Sequence, residues 1–179
     1  MRSHSLSRPL PALVLLLLGP LAAARSTPER LQVGGTFTMT YTQRNPVPIG
    51  DAAGHVLISD GATGTNRSTG QDTYMERAQV ANTEIADLAL GNGTHQGYTI
   101  FSSGGDSTIN KWSGRVTTVL GSDKQPITSF EGSWRKVRGT GRYAGVTGQG
   151  TYRGRMTGQN TYRVEWNGEI ELGERTAAQ

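Results

Sequence analysis

Two histidines and a few acids are the first places to look for chemistry in this chain. His55 and His95 lie among Asp51, Asp60, Glu84 and Asp87. Imidazole and carboxylate together could form an acid–base pair or hold a metal. The spacing of a metal-ligand set is missing, and so is any Gly-x-Ser-x-Gly or Ser/His/Asp order. His95 stands in "GNGTHQG", a turn-rich stretch, so turn and surface roles are the favoured reading of both histidines. If polar groups enter a cavity, Arg77, Glu84 and Asp60 are the candidates for catalysis. The chain has no cysteine, which excludes thiol catalysis and zinc–thiolate sites. No metal and no cofactor is expected.

A second candidate is "VRGTGRYAGVTGQGTYRGRMTGQNTYR", residues 137–163. Gly139-Thr-Gly141 and Gly148-Gln-Gly150 superficially suit a phosphate. Neither completes Gly-x-Gly-x-x-Gly, and strand-like sequence follows each where a helix N-terminus is needed. Tyr143, Tyr152 and Tyr162 recur at hairpin spacing, with Thr-Gly at the bends. Most of these glycines therefore shape strands and turns. From Arg135 to Val164 there are seven basic residues and no acid. Arg153 and Arg155 share a face of one strand and could form a polyanion-binding strip. The favoured alternative is a solvated face opposite acids of neighbouring strands, such as Glu165, Glu169 and Glu171. Asn66-Arg-Ser68 and Asn92-Gly-Thr94 are glycosylation acceptors in a eukaryotic host, and both are expected in loops.

The elements that must position these residues are strands. "TFTMTYTQ" alternates strictly. Phe37, Met39 and Tyr41 fall on one face, and Thr36, Thr38, Thr40 and Thr42 on the other. "GHVLISDG" is a second, short strand, and "ATGTNRSTGQ" a loop. "DTYMERAQVANTEIADLAL" is ambiguous. Its first half, "TYMERAQV", reads as a strand, with a helical turn after it. "YTIFSS", "STINKWSGRVTTVL" and "PITSFEGSWRKV" are further strands, separated by glycine-containing turns. In "TYRVEWNGEIEL", Tyr162, Val164, Trp166, Ile170 and Leu172 share one face and Glu165, Glu169 and Glu171 the other. One wet face per strand belongs to an antiparallel sheet. Roughly eight short strands with no place for open edges suggest a closed barrel.

Residues 1–24 read as a cleavable signal peptide. Arg2 and Arg8 precede an apolar run broken by Pro11 and Pro20, and Ala22-Ala23-Ala24 follows it. The run is too short to span a membrane. Removing it leaves roughly 155 residues, enough for one domain. Of 18 basic residues two leave with it, so 16 face 14 acids, a net of +2. The expected location is secreted, or the cell envelope or periplasm. Nucleic acid is not an expected partner. Residues 25–35 read as a polar leader, 36–173 as the barrel and 174–179 as a flexible tail.

"VRGTGRYAGVTGQGTYRG" resembles the glycine stretch before a late strand in the allene oxide cyclase-like barrel superfamily, which includes dirigent proteins. "PIGDAAGHVLISDG" looks like that group's Gly-Asp-led strand, and "ERAQV", residues 76–80, like the dirigent Gly-Arg-Ala-Gln-Gly strand. "SFEGSWRKV" sits where the strand leading into the glycine motif belongs. The resemblance covers nearly the whole mature chain. It implies an all-β fold, an eight-stranded antiparallel β-barrel of allene oxide cyclase-like type, forming homo-oligomers around a cavity for a small hydrophobic molecule. Cyclases carry a carboxylate near the end of the first strand. Aligning "QRN" puts Thr40 there, and Thr38 to Thr42 contain no acid. That alignment turns the threonine face inward, whereas burial favours the face of Phe37, Met39 and Tyr41.

The favoured function is non-catalytic binding of a small, largely apolar ligand, with walls from Tyr41, Trp134, Tyr162 and Trp166. The alternatives are an isomerase or dirigent-like guide of a reactive intermediate, and an interaction protein using the 135–163 strip.

Overall fold

The computed structural model describes residues 29–70 and 72–173; the stretch read as a signal peptide, residues 25–28 of the expected leader and the expected tail lie outside them. Eight strands run in chain order: β1 Arg30–Pro48, β2 His55–Ser68, β3 Gln79–Ala89, β4 Asn92–Ser103, β5 Asp106–Leu120, β6 Pro126–Thr140, β7 Thr147–Met156 and β8 Thr161–Glu171. Each pairs antiparallel with the next, and β8 pairs with β1, so the sheet closes on itself. Closure leaves no free edge along the paired strands. Among the described residues the one helical element is a 3₁₀ turn, Gly141–Tyr143. No helix there is long and apolar enough to cross a membrane.

Strand β1 starts at Arg30, inside the stretch read as a leader, because Arg30 to Gly35 pair with Glu171 to Trp166 of β8. Val33, Phe37 and Met39 are buried while Thr38 and Thr40 are exposed, so the apolar face of β1 points inward. A bulge between Tyr41 and Gln43 then shifts the phase. An extra residue turns the following side chains over. Arg44 thereby joins the wall of the interior.

Two sequence readings are corrected in the middle of the chain. The expected loop "ATGTNRSTGQ" is mostly the second half of β2. Its inward positions are Ala62, Gly64 and Asn66, which give no apolar alternation to read. The expected strand "TYMERAQV" is instead mainly a turn region, and β3 runs through the residues read as a helical turn. Two non-glycine residues there have positive φ, Met75 at 50° and Arg77 at 57°.

That turn region plugs one end of the barrel. Tyr74, Met75 and Ala78 are at most 2% exposed. Tyr74 packs edge-on against Phe101, Tyr143 and Trp166. Asn66 is fully buried beneath them. Its Nδ2 donates to the carbonyls of Tyr74 and Met75, and its Oδ1 accepts from Trp166 Nε1. It is therefore a latch in the core and not an exposed glycosylation loop. Asn92 is exposed at the β3–β4 bend, as expected of an acceptor.

The interior alternates large and absent side chains. Trp112 covers Gly97, Tyr152 covers Gly114 and Gly132, and Trp134 covers Gly150 and Gly168. A Cβ on Gly132 would sit 2.6 Å from the Tyr152 hydroxyl. Much of the chain's glycine thus makes room for rings.

Candidate functional site

Between the plug and the opposite hairpins lies a cavity of about 340 Å³. Phe37, Phe101, Trp134 and Trp166 line its deep part. Val56, Leu88, Gly91, Thr118 and Thr128 line it toward the hairpin end. Tyr41, Trp134, Tyr162 and Trp166, expected as apolar walls, all face this space.

Polar groups enter it at defined levels. Arg44 of β1, Asp60 of β2 and Glu84 of β3 are successive register partners, so three charged side chains lie abreast. Arg44 Nε is 3.5 Å from Asp60 Oδ2. Burial pushes the Asp60 carboxyl up to about 6; Arg44 opposes that rise and Glu84 adds to it. Its carboxyl therefore changes charge close to neutrality.

Glu84 Oε1 is 2.7 Å from His95 Nδ1, and His95 Nε2 is 3.0 Å from the Tyr152 hydroxyl. An ionised carboxylate can only accept, which assigns the proton to Nδ1. Nε2 then accepts from Tyr152. Burial first, then the charge of Glu84, raises the Tyr152 phenol far above its usual range, so it remains a donor. His95 is held edge-on against Trp112, with ring centroids 4.9 Å apart. The reading of His95 as a turn residue is corrected: it lies within β4, 5% exposed. Its inward period with Thr99 and Phe101 was the available signal, masked by Gly93 and Gly97 at the other inward positions.

Deeper, Asn82 Oδ1 accepts from Thr99 Oγ1 at 2.8 Å and Trp112 Nε1 at 3.1 Å. Its Nδ2 donates to the Tyr162 hydroxyl at 3.3 Å. Two buried acceptors, Asp60 Oδ1 and Asn110 Oδ1, have no hydrogen-bond partner among the described residues. Both residues line the cavity.

Of the proposed catalytic residues, the fold brings Asp60 and Glu84 together and leaves Arg77 out. Arg77 is exposed on the plug turn, and Arg44 takes the place beside Asp60. No local pattern points to Arg44, since its entry depends on the bulge. Arg153 and Arg155 are exposed on the outer face of β7. Arg153 donates to Glu165 of β8 at 2.8 and 3.0 Å, which holds the Glu165 carboxyl below its usual range. This matches the solvated-face alternative for Arg153.

At the hairpin end, His55 bridges Asp51 at 2.5 Å and Asp87 at 2.7 Å. Hydrogen bonds that the ring donates to Asp87, then to Asp51, raise the imidazole pKa above 6.5. A raised folded-state pKa stabilises below the unfolded value, and that contribution is lost as pH rises through the folded one. An NMR titration should find His55 above 6.5, and Asp87→Asn should move it back toward that value. A His55 pKa insensitive to Asp87→Asn contradicts the bridge.

No protein-family model and no curated protein matches the chain. Among solved structures, it is similar to the pterocarpan synthase dirigent protein GePTS1, at 12% identity and a TM-score of 0.48, over 87% of this chain and 92% of that one. It is also similar to the pterocarpan synthase dirigent protein PsPTS1, at 12% identity and a TM-score of 0.43, over 82% of this chain and 97% of that one.

Proposed function

We propose that this protein is an exported barrel that binds a small, largely apolar molecule bearing a hydrogen-bond donor such as a hydroxyl. The observation that carries the reading is the pair of unpartnered acceptors, Asp60 Oδ1 and Asn110 Oδ1, in a cavity otherwise walled by aromatic rings. Apolar walls supply affinity by leaving water, and a few buried polar groups fix orientation. A buried acceptor left empty costs free energy that a donating ligand recovers. Export rests on the character of residues 1–24.

A 2-naphthol and naphthalene pair tests this, with tryptophan fluorescence as the readout. The native barrel should bind 2-naphthol more tightly than naphthalene. Asp60→Leu should weaken 2-naphthol by about 10–100-fold, the worth of a hydrogen bond to a charged group. Naphthalene binding should hold or improve. Because the donor favours ionised Asp60, 2-naphthol should bind more tightly as pH rises through about 6. Equal loss of both ligands would count against the reading.

The second reading is an isomerase or dirigent-like guide, in which the cavity also moves protons. It is supported by Asp60 lying opposite Glu84, with His95 and Tyr152 beyond. A carboxyl titrating near 6 can give or take a proton at neutral pH. Glu84 holds His95 in one tautomer, and Tyr152 donates a hydrogen bond to its other nitrogen. The chain then supplies an acid, a base and an apolar wall around one ligand.

A further inference from the structure

Beneath the cavity floor lies a lysine that neither reading uses. Lys136 continues the inward row of β6, after Phe130, Gly132 and Trp134, and is 8% exposed. Its Nζ donates to the Tyr74 hydroxyl and, at 3.3 Å, to Thr108 Oγ1. Those two hydroxyls bond each other at 2.6 Å. The faces of Tyr74, Trp134 and Phe101 surround it, with ring centroids 4.5, 5.4 and 5.7 Å from Nζ. No carboxylate forms an ion pair with Lys136 among the described residues.

Burial removes the water of the ammonium and no anion replaces it, while the two hydroxyl oxygens and the ring faces return only part of that loss. Burial accordingly brings the amine down to about 7. A neutral amine in an apolar setting is the activated form of a lysine nucleophile. The position lies one side chain from the cavity: Trp134 and Phe101, whose rings surround Nζ, are cavity walls, and Asn110, the cross-strand partner of Lys136, lines the same cavity and carries an unpartnered Oδ1.

We propose that Lys136 captures carbonyl compounds: a small apolar aldehyde or ketone in the cavity condenses with Nζ to form an imine. The proposal rests on the cavity being a ligand site. The Nζ lone pair attacks the carbonyl carbon and forms the C–N bond, while the carbonyl π pair moves to oxygen, which takes a proton. The oxygen then leaves as water, carrying in balance both protons of the amine, and C=N forms. Nothing is oxidised or reduced. Tyr74, whose phenol burial keeps protonated, and Thr108 form the hydroxyl pair able to pass those protons. Asn110 Oδ1 can accept from the carbinolamine hydroxyl.

The chain's composition makes the test clean. It has three lysines, Lys111, Lys124 and Lys136, and the first two are on the outside as internal controls. Native protein is incubated at pH 7 with benzaldehyde and sodium cyanoborohydride, digested and mapped by mass spectrometry. Benzyl alcohol binding is followed in parallel by tryptophan fluorescence. At pH 7 about half of Lys136 is neutral. An ordinary lysine is neutral in roughly one molecule in a few thousand. The benzyl adduct should therefore favour Lys136 at least tenfold over either control, even with restricted access. If benzyl alcohol binds but Lys136 is labelled no more than Lys111 and Lys124, imine capture is wrong and the cavity reading stands. If benzyl alcohol does not bind and Lys136 is not favoured, both fail.

Discussion

Lys136→Met is expected to stabilise the fold at pH 7 and below by about 1–4 kcal/mol, the range seen when buried ion pairs give way to apolar side chains of similar volume. The folded-state pKa is lowered to about 7 by burial, against about 10.4 in an unfolded chain. Between these values the unfolded chain binds the additional proton, so native stability rises as pH rises from about 7 toward 10. Below 7 both states are protonated and the full cost of the buried charge is present. Methionine has nearly the same length and no charge to bury. It forfeits the bonds to Tyr74 and Thr108, but those two hydroxyls still satisfy each other, which limits the loss. Urea denaturation at pH 6, 8 and 10 separates the terms. The advantage of Lys136→Met should be largest at pH 6 and shrink toward pH 10. A native protein whose stability does not rise between pH 7 and 10 would show that Lys136 is not held neutral.

The opposite sign is expected for Asn66→Ala, at about 3–5 kcal/mol of destabilisation. The side chain is fully buried and meets three partners at once. Its removal leaves Trp166 Nε1 and the Tyr74 carbonyl without their side-chain partner, each a desolvation cost of about 1–3 kcal/mol before relaxation, while the Met75 carbonyl loses one of two donors and keeps the N–H of Ala78. The damage has an address. Met75 and Arg77 sit at positive φ, which non-glycine residues adopt only when their surroundings impose it. With the latch gone, amide exchange of residues 72–78 should quicken more than that of β5 and β6. Asn66→Asp divides the role, since its oxygen can still serve Trp166 but the side chain no longer donates to the carbonyls of Tyr74 and Met75. Unchanged stability and exchange in Asn66→Ala would mean that the plug is held by ring packing alone.

How much of this could be read from the chain depends on which side chains face inward. Where rings and aliphatics alternate with polar residues, as in Phe37–Met39–Tyr41 and Tyr162–Val164–Trp166, strand and inward face were both legible. Three of the four expected aromatic walls, Tyr41, Tyr162 and Trp166, lie on those rows, and Trp134 lies on the row of Phe130 and Gly132 in β6. Where the inward positions are glycine, alanine or asparagine, as in the second half of β2, the same geometry leaves no hydrophobic signature. His95 was hidden in that way, between two inward glycines. Arg44 was hidden differently, because a bulge reverses the phase without marking the sequence. Asp60 and Glu84 were visible as candidates, but their alignment with Arg44 is a matter of inter-strand register, which no local pattern specifies. Arg77 was chosen as if "ERAQV" were strand throughout, whereas the chain turns there to close the barrel end.

The rings resting on glycines bear on how the cavity of such a barrel could change its shape. A side chain at Gly97, Gly114 or Gly150 would collide with the backbone of the adjoining strand as well as with the ring above it. Those positions offer almost no freedom to vary. Trp112, Tyr152 and Trp134 line the cavity, and each is tied by a hydrogen bond, to Asn82, His95 and the Asn167 carbonyl respectively. Trimming one of them enlarges the chamber at the cost of that bond and leaves the close contact between strands in place. Selection for a new ligand would therefore act through the aromatic residues, while the glycines stay as the invariant frame. Related barrels with other ligands should differ at the rings and agree at the gaps beneath them.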